Sequence, residues 1–240
     1  MANGNGPATR VAQRRVDRVT VAHLCLGTAS WNQEAPYNGR VPPVDNELRR
    51  ILDVAEAGGI RWIDSAVAYG NVEQRLVAVE AWKRFKIVSK IKTTSFKFPA
   101  CCPAAVLNHL GPDDPVGMPI WPREEGLVGV SAYTVAQAVA ALDSGELQVL
   151  QVPWNSGDRP AAIVKGEIVD GWEHVRDRAY ADGVLFFGRQ PFARGNLAPP
   201  WPYARETFEK ALITNPRGWC VVGVETAAQL KELLWWREAL

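Results

Sequence analysis

Ile60-Arg61-Trp62-Ile63-Asp64-Ser65-Ala66-Val67-Ala68-Tyr69-Gly70-Asn71-Val72-Glu73 is the stretch that decides the fold. Ile60–Ile63 is a short apolar run of strand length, and Asp64 stands at its C-terminal tip. Before it, Asp45 caps a helix whose apolar face is Leu48, Ile51, Leu52 and Ala55, and Gly58-Gly59 ends that helix. After it, Val72–Lys83 reads as a second helix and Lys86–Ile91 as a strand. The unit is therefore strand, helix, strand, and it recurs in both directions.

Upstream, Val21–Leu26 is a strand that closes in Gly27-Thr28. Downstream, the strands are Ala105–His109, Leu127–Val130, Leu147–Val152, Val184–Phe187 and Trp219–Val222. Helices are expected through Val135–Leu142, over Gly171–Ala181 and Ala204–Leu212, and at the end over Ala227–Trp236. Repeated strand–helix units build a parallel sheet, and eight strands favour closure into a (β/α)8 TIM barrel. A doubly wound dinucleotide domain would carry a Gly-rich turn after its first strand, and Gly27-Thr28-Ala29-Ser30 is not that turn.

The rhythm breaks in the middle. Thr93–Ala104 has no helical stripe, and four prolines within Pro112–Pro122 exclude a helix there. The crossover helices after the third and fourth strands are expected to be shortened or missing. The outer face of strands three to five would then be uncovered apolar surface, which suits a homodimer.

Composition sets the outer bounds. The 240 residues are 47% hydrophobic and 22% charged, as in an ordinary globule, and 20–240 reads as one domain behind a disordered leader at 1–19. Lys plus Arg number 27 and Asp plus Glu 26, which gives no electrostatic reason for nucleic acid or an anionic membrane. No apolar run approaches a membrane span and no secretory h-region precedes residue 18, so a cytoplasmic protein is expected. Cys25, Cys101, Cys102 and Cys220 have no metal spacing, and no metal site is expected. The Cys101-Cys102 pair reads as unreactive loop thiols, and His23 and His174 as structural. Abundant Ala and Arg fit a GC-rich bacterial gene.

In a barrel the C-terminal strand ends form the site. Asp64, with Tyr69 after it, Lys90 and His109 occupy three such ends. An ammonium beside a phenol favours the phenolate, and a carboxylate holds the ammonium in place, a set suited to protonating a carbonyl oxygen. Trp31, Trp121 and Trp154 fall on loops at the same end as candidate walls of a substrate pocket. Arg189 and Arg194 follow the seventh strand and could meet a pyrophosphate or an acidic substrate.

These residues also carry a resemblance. Leu24-Cys25-Leu26-Gly27-Thr28-Ala29 resembles the opening strand of the aldo-keto reductases. Ile63–Asn71 with Glu73 resembles the family's run from its catalytic Asp to its Tyr-Gly, and Val88-Ser89-Lys90-Ile91 its Lys strand. Val106-Leu107-Asn108-His109 is similar to the strand-end His. Gly126–Ser131 resembles the fifth strand and Leu150–Asn155 the sixth. Phe186–Asn196 and Val221–Leu230 resemble the seventh and eighth more loosely.

The resemblance implies carbonyl reduction with NADPH or NADH on a small-molecule ketone or aldehyde. Tyr69 would be the acid, Lys90 its tuner, Asp64 the partner of Lys90, and His109 the orienter of substrate. It also implies cofactor contacts from Ser131 and Gln151 to the nicotinamide amide, and from Arg189, Gly223 and the Thr226 helix start. One departure stands out. Where the family presents a basic segment to the cofactor's 2′-phosphate, this chain has Gly223-Val224-Glu225-Thr226. A cofactor-free barrel using Tyr69 and Lys90 for proton transfer, as an isomerase, dehydratase or lyase of a biosynthetic pathway, is the rival reading. A non-catalytic binding role is the third.

Overall fold

The computed structural model describes residues 20–35, 37–92, 99, 101, 103–114, 126–155, 161–164 and 167–240. The expected leader, Cys102, Trp121 and most of the proline-rich stretches lie outside the described residues.

The chain runs β1 (His23–Gly27), α1 (Asp45–Ala57), β2 (Trp62–Asp64), α2 (Val72–Ala78), β3 (Lys86–Ile91), β4 (Ala105–His109), β5 (Leu127–Ser131), α3 (Val135–Asp143) and β6 (Val149–Pro153). A two-stranded unit, β7 (Ala161–Val164) and β8 (Glu167–Asp170), follows. Then come α4 (Gly171–Ala181), β9 (Leu185–Arg189), α5 (Ala204–Ile213), β10 (Trp219–Gly223) and α6 (Ala227–Glu238). Eight strands close a parallel barrel in the order β1-β2-β3-β4-β5-β6-β9-β10. This is the expected (β/α)8 architecture.

Strand alternation divides the core into two layers. Cys25, Trp62, Val88, Ala105, Leu107, Val149, Phe187 and Val221 fill the barrel interior. Their neighbours Leu24, Leu26, Ile63, Ile87, Leu150, Phe186 and Val222 face outward and join the apolar sides of the helices, among them Leu48, Ile51, Leu52 and Ala55 of α1. Gly129 sets the β5–β6 approach, since a Cβ there would lie 2.1 Å from Val149 O and 2.7 Å from Leu107 Cδ2. At the N-terminal end the barrel is plugged by Trp219 stacked on Phe187 at 5.0 Å, with Trp62 edge-on to Phe187 at 5.6 Å. The open end is therefore the C-terminal one.

Several expectations change. Val44, not Asp45, is the N-cap of α1; Asp45 lies in the first turn and accepts from Arg75 Nη2 at 2.8 Å. Helix α2 stops at Ala78, because Glu80 turns to φ 52° before a short 3₁₀ turn at Ala81–Lys83. The antiparallel β7–β8 pair was not anticipated. Its signal was two apolar runs separated by Lys165-Gly166, a hairpin pattern.

Among the described residues no helix lies between β3 and β4 or between β4 and β5. Of the outward apolar side chains there, Ile87 is 1% and Val106 8% exposed, while Ile91 and Val128 are half-buried. Among the described residues no helix is long and apolar enough to cross a membrane.

Candidate active site

Parallel register brings the strand ends together. Asp64 ends β2, and Thr28 holds its carbonyl oxygen through N–H at 3.1 Å and Oγ1 at 2.9 Å. The loop beyond Asp64 is tied to β3 by Ser65 N to Val88 O at 2.8 Å and Val67 N to Lys90 O at 3.0 Å. These bonds carry Tyr69 back over the barrel mouth. Gly70 then turns with φ +62°, a conformation that favours glycine, and a Cβ there would strike Asn32 at 2.5 Å.

Lys90 Nζ donates to Asp64 Oδ1 at 2.5 Å and to Ser65 O at 2.6 Å. It sits 5.1 Å from the centre of the Tyr69 ring. Burial pulls the Lys90 amine down, but the Asp64 carboxylate and the neighbouring Tyr69 outweigh it, and the net shift is upward. The pair is thus a fixed ammonium–carboxylate. For Tyr69, burial raises the phenol and Lys90 lowers it, with the net direction upward. The ammonium depresses Tyr69 as expected, but withdrawal from water outweighs it, and Asp64 offsets part of its effect.

His109, Ser131 and Gln151 lie side by side on β4, β5 and β6 in direct register. They form a chain of hydrogen bonds. Gln151 Nε2 donates to Asp64 Oδ1 at 2.8 Å, Ser131 Oγ donates to Gln151 Oε1 at 3.0 Å, and His109 Nδ1 meets Ser131 Oγ at 3.4 Å. The direction of the chain follows from Asp64, which as a carboxylate only accepts. Gln151 must then present its amide NH2 to Asp64 and its oxygen to Ser131, so Nδ1 of His109 carries the ring proton. Burial, with Lys90 and Arg189 nearby, lowers His109 to about 4.

A cavity of about 550 Å³ opens above this floor, within the range of small-molecule and cofactor sites. Asp64, Tyr69, Lys90, His109, Arg189 and Gly223 line it. Ser131 and Gln151 are fully buried and do not. Two of the tryptophans proposed as pocket walls are elsewhere. Trp31 is buried with Nε1 donating to Val224 O at 2.7 Å, and Trp154 is buried edge-on to Phe186 with Nε1 donating to Thr214 Oγ1 at 3.1 Å. Trp154 fills the outer space that Gly188 leaves, since a Cβ on Gly188 would lie 2.7 Å from Trp154 Cβ. The third, Trp121, lies outside the described residues.

Tyr133 and Arg40 line the cavity and were not foreseen. Tyr133 packs edge-on to His109 at 5.6 Å and beneath the Arg189 guanidinium at 4.2 Å. Arg40 Nη1 pairs with Glu225 Oε1 at 2.7 Å across 185 positions of sequence, a distance no local pattern could reveal. Arg40 also fills the space where a Cβ on Gly195 would be. The loop after β9 bends over the cavity through positive φ at Gln190, Ala193 and Arg194, a run of left-handed non-glycine residues of the kind that clusters at functional sites.

No family model matches the chain, and no curated protein matches it. Solved structures do. A Pseudomonas aeruginosa protein described as an aldo-keto reductase, PA4992, superposes with a TM-score of 0.66 at 20% identity, over 90% of this chain and 89% of its own. A second P. aeruginosa structure described in the same way gives 0.62 at 22% identity over the same shares. The thermostable aldo-keto reductase Tm1743, solved with the inhibitor epalrestat, gives 0.59 at 21% identity, again over 90% and 89%. The fold is that of the aldo-keto reductases.

An aldo-keto reductase fold raises the question of a nicotinamide cofactor, and the two ends of the cavity answer differently. At the floor, Tyr69 with Lys90 and Asp64 suits a reacting carbonyl, and glycine at 27 and 223 leaves the strand ends open. Over the middle, Arg194 offers a cation to a diphosphate, while Arg40 is already paired with Glu225. At the α6 end, the expected anion site at Thr226 is already occupied by the protein. Gln229 Oε1 accepts from Glu225 N and Thr226 N, Thr226 Oγ1 accepts from Gln229 N, and Glu47 Oε1 accepts from Ala227 N. With Glu225 and Glu232 on the same wall, this end fits a ribose hydroxyl and not a further phosphate.

Proposed function

We propose that this chain reduces the carbonyl of a small ketone or aldehyde with a nicotinamide cofactor, NADH in preference to NADPH. The observation that carries the reading is Tyr69 at the cavity floor beside the buried Lys90–Asp64 pair. The bound cofactor supplies the hydride that goes to the carbonyl carbon. Tyr69 Oη donates its proton to the carbonyl oxygen as the C=O π pair becomes the new O–H bond. The phenolate left behind faces the Lys90 ammonium, which favours it, and Asp64 keeps that ammonium charged and in place. His109, lowered to about 4, is neutral near pH 7 and is not the proton donor. It orients substrate through the ring that Ser131 and Tyr133 hold.

The rival, a cofactor-free barrel that moves protons with Tyr69 and Lys90, draws on Glu225 and the capped N-terminus of α6. Titration of the purified chain with NADH and NADPH, followed by tryptophan fluorescence, separates the two. Micromolar saturation with NADH supports the reductase. No binding of either up to millimolar concentration leaves the proton-transfer reading in its place.

A further inference from the structure

Arg189 closes β9 with its side chain in the cavity wall, and the residue is only 7% exposed. Nη2 donates to Ala132 O at 2.9 Å. The Tyr133 ring lies against the guanidinium, 4.2 Å from Cζ to ring centre, so its orientation is set by packing. Nε is buried without an acceptor. No ion pair joins Arg189 to a carboxylate among the described residues, and the nearby Asp64 is already taken by Lys90 and Gln151. Burial lowers the Arg189 pKa, the mark of a cation withdrawn from water without a partner to match. Buried charges are ordinarily paired, and a guanidinium cannot shed its proton to escape the cost. Tyr133, Tyr69 and Asp64 offset the burial only in part, and Arg194 adds a further positive charge on the same wall.

We propose that Arg189 binds an anionic group of the substrate, and that the chain acts on carbonyl compounds bearing a carboxylate close to the reacting carbon. The assignment to a carbonyl rests on the reductase reading of Tyr69; the anion site itself does not. A carboxylate is the planar, two-oxygen acceptor that a fixed guanidinium recognises. Tyr133 ties Arg189 to His109 at the catalytic floor, where the reacting end of the substrate would lie. A cofactor phosphate is the other source of the same charge.

The test uses benzoate and benzamide, two ligands of one shape that differ in charge and are not reduced. Binding to the full chain is measured by calorimetry, with and without saturating NADH. Benzoate should bind at least tenfold more tightly than benzamide. Arg189→Met should erase that difference, with thermal unfolding and near-ultraviolet circular dichroism showing a folded protein; Arg189→Gln serves if the Met variant does not fold. Equal binding of the two ligands by the native chain overturns the proposal without any variant. So does a benzoate preference that survives in the variant. If the variant instead loses tenfold or more in NADH affinity while the benzoate preference stays, the anion is the cofactor's phosphate and the proposal is wrong. Turnover of phenylglyoxylate against its methyl ester then tests the reductase reading separately: a benzoate site with no turnover of either leaves Arg189 assigned and Tyr69 reassigned.

Discussion

Lys90 Nζ and Asp64 Oδ1 meet at 2.5 Å with both side chains buried, at 2% and 7% exposure. The two come from neighbouring strands, β3 and β2, and the pair holds the only fixed ammonium beside Tyr69 among the described residues. Breaking such a pair leaves one charge without its partner away from water, which costs about 3–5 kcal/mol. Asp64→Asn should lower unfolding free energy in urea by about that amount. Lys90→Met added to it should cost less than the sum of the two single changes, because the orphan charge is removed. Additive losses would mean that the two residues are not coupled.

Tyr69→Phe removes the proton donor and leaves the ring. Carbonyl reduction should fall by about 10²–10⁴-fold, while the melting temperature changes little. Retained turnover in the variant would sink the proposed chemistry.

The pH profile carries a sign that can be checked. Tyr69 acts as an acid, so its work is available while it is protonated. With its pKa raised above the ordinary value of about 10, the reduction rate should hold through neutral pH and fall only on the far alkaline side. A decline centred near neutrality would assign the proton to another group.

His109 couples folding to pH in the opposite range. Its folded value is about 4, below the ordinary value of about 6.5, so the unfolded chain takes up the proton first. The associated stability is present above about pH 6.5 and is lost as pH falls towards 4. Denaturant midpoints measured across this window should decline in the native chain and flatten in His109→Gln. An identical decline in both would show that His109 is not the titrating group.

Glu225 should set cofactor choice. Its carboxylate is held by Arg40 at 2.7 Å and lines the cavity beside the capped start of α6. Glu225→Gln would remove the repulsion and release Arg40 at once. NADPH affinity should rise by about tenfold, or about 1.4 kcal/mol, with NADH affinity changed less, as read by fluorescence titration. Equal effects on both cofactors would place the 2′-phosphate elsewhere.

Most of the fold was legible in the chain because its signals are local. The Leu48, Ile51, Leu52 and Ala55 stripe, the short apolar runs and Gly58-Gly59 each express one face of one element, and eight such runs imply closure. Asp64, Tyr69 and Lys90 were legible for the same reason: they sit at or just beyond strand ends, and parallel register puts strand ends together. What the sequence could not decide was direction and pairing. Trp31 and Trp154 stand near strand ends yet turn into the core, Trp154 into the space Gly188 leaves and Trp31 with Nε1 on Val224 O. By sequence the N–H groups at the start of α6 were open to an anion, but Gln229 accepts from Glu225 N and Thr226 N, and Glu47 accepts from Ala227 N. Arg40 meets Glu225, and Arg189 meets Tyr133 but, among the described residues, pairs with no carboxylate, only once the barrel is closed. Local periodicity follows from backbone geometry over a few residues. Which charge is neutralised, and which is not, depends on contacts between segments that only the tertiary fold brings within reach.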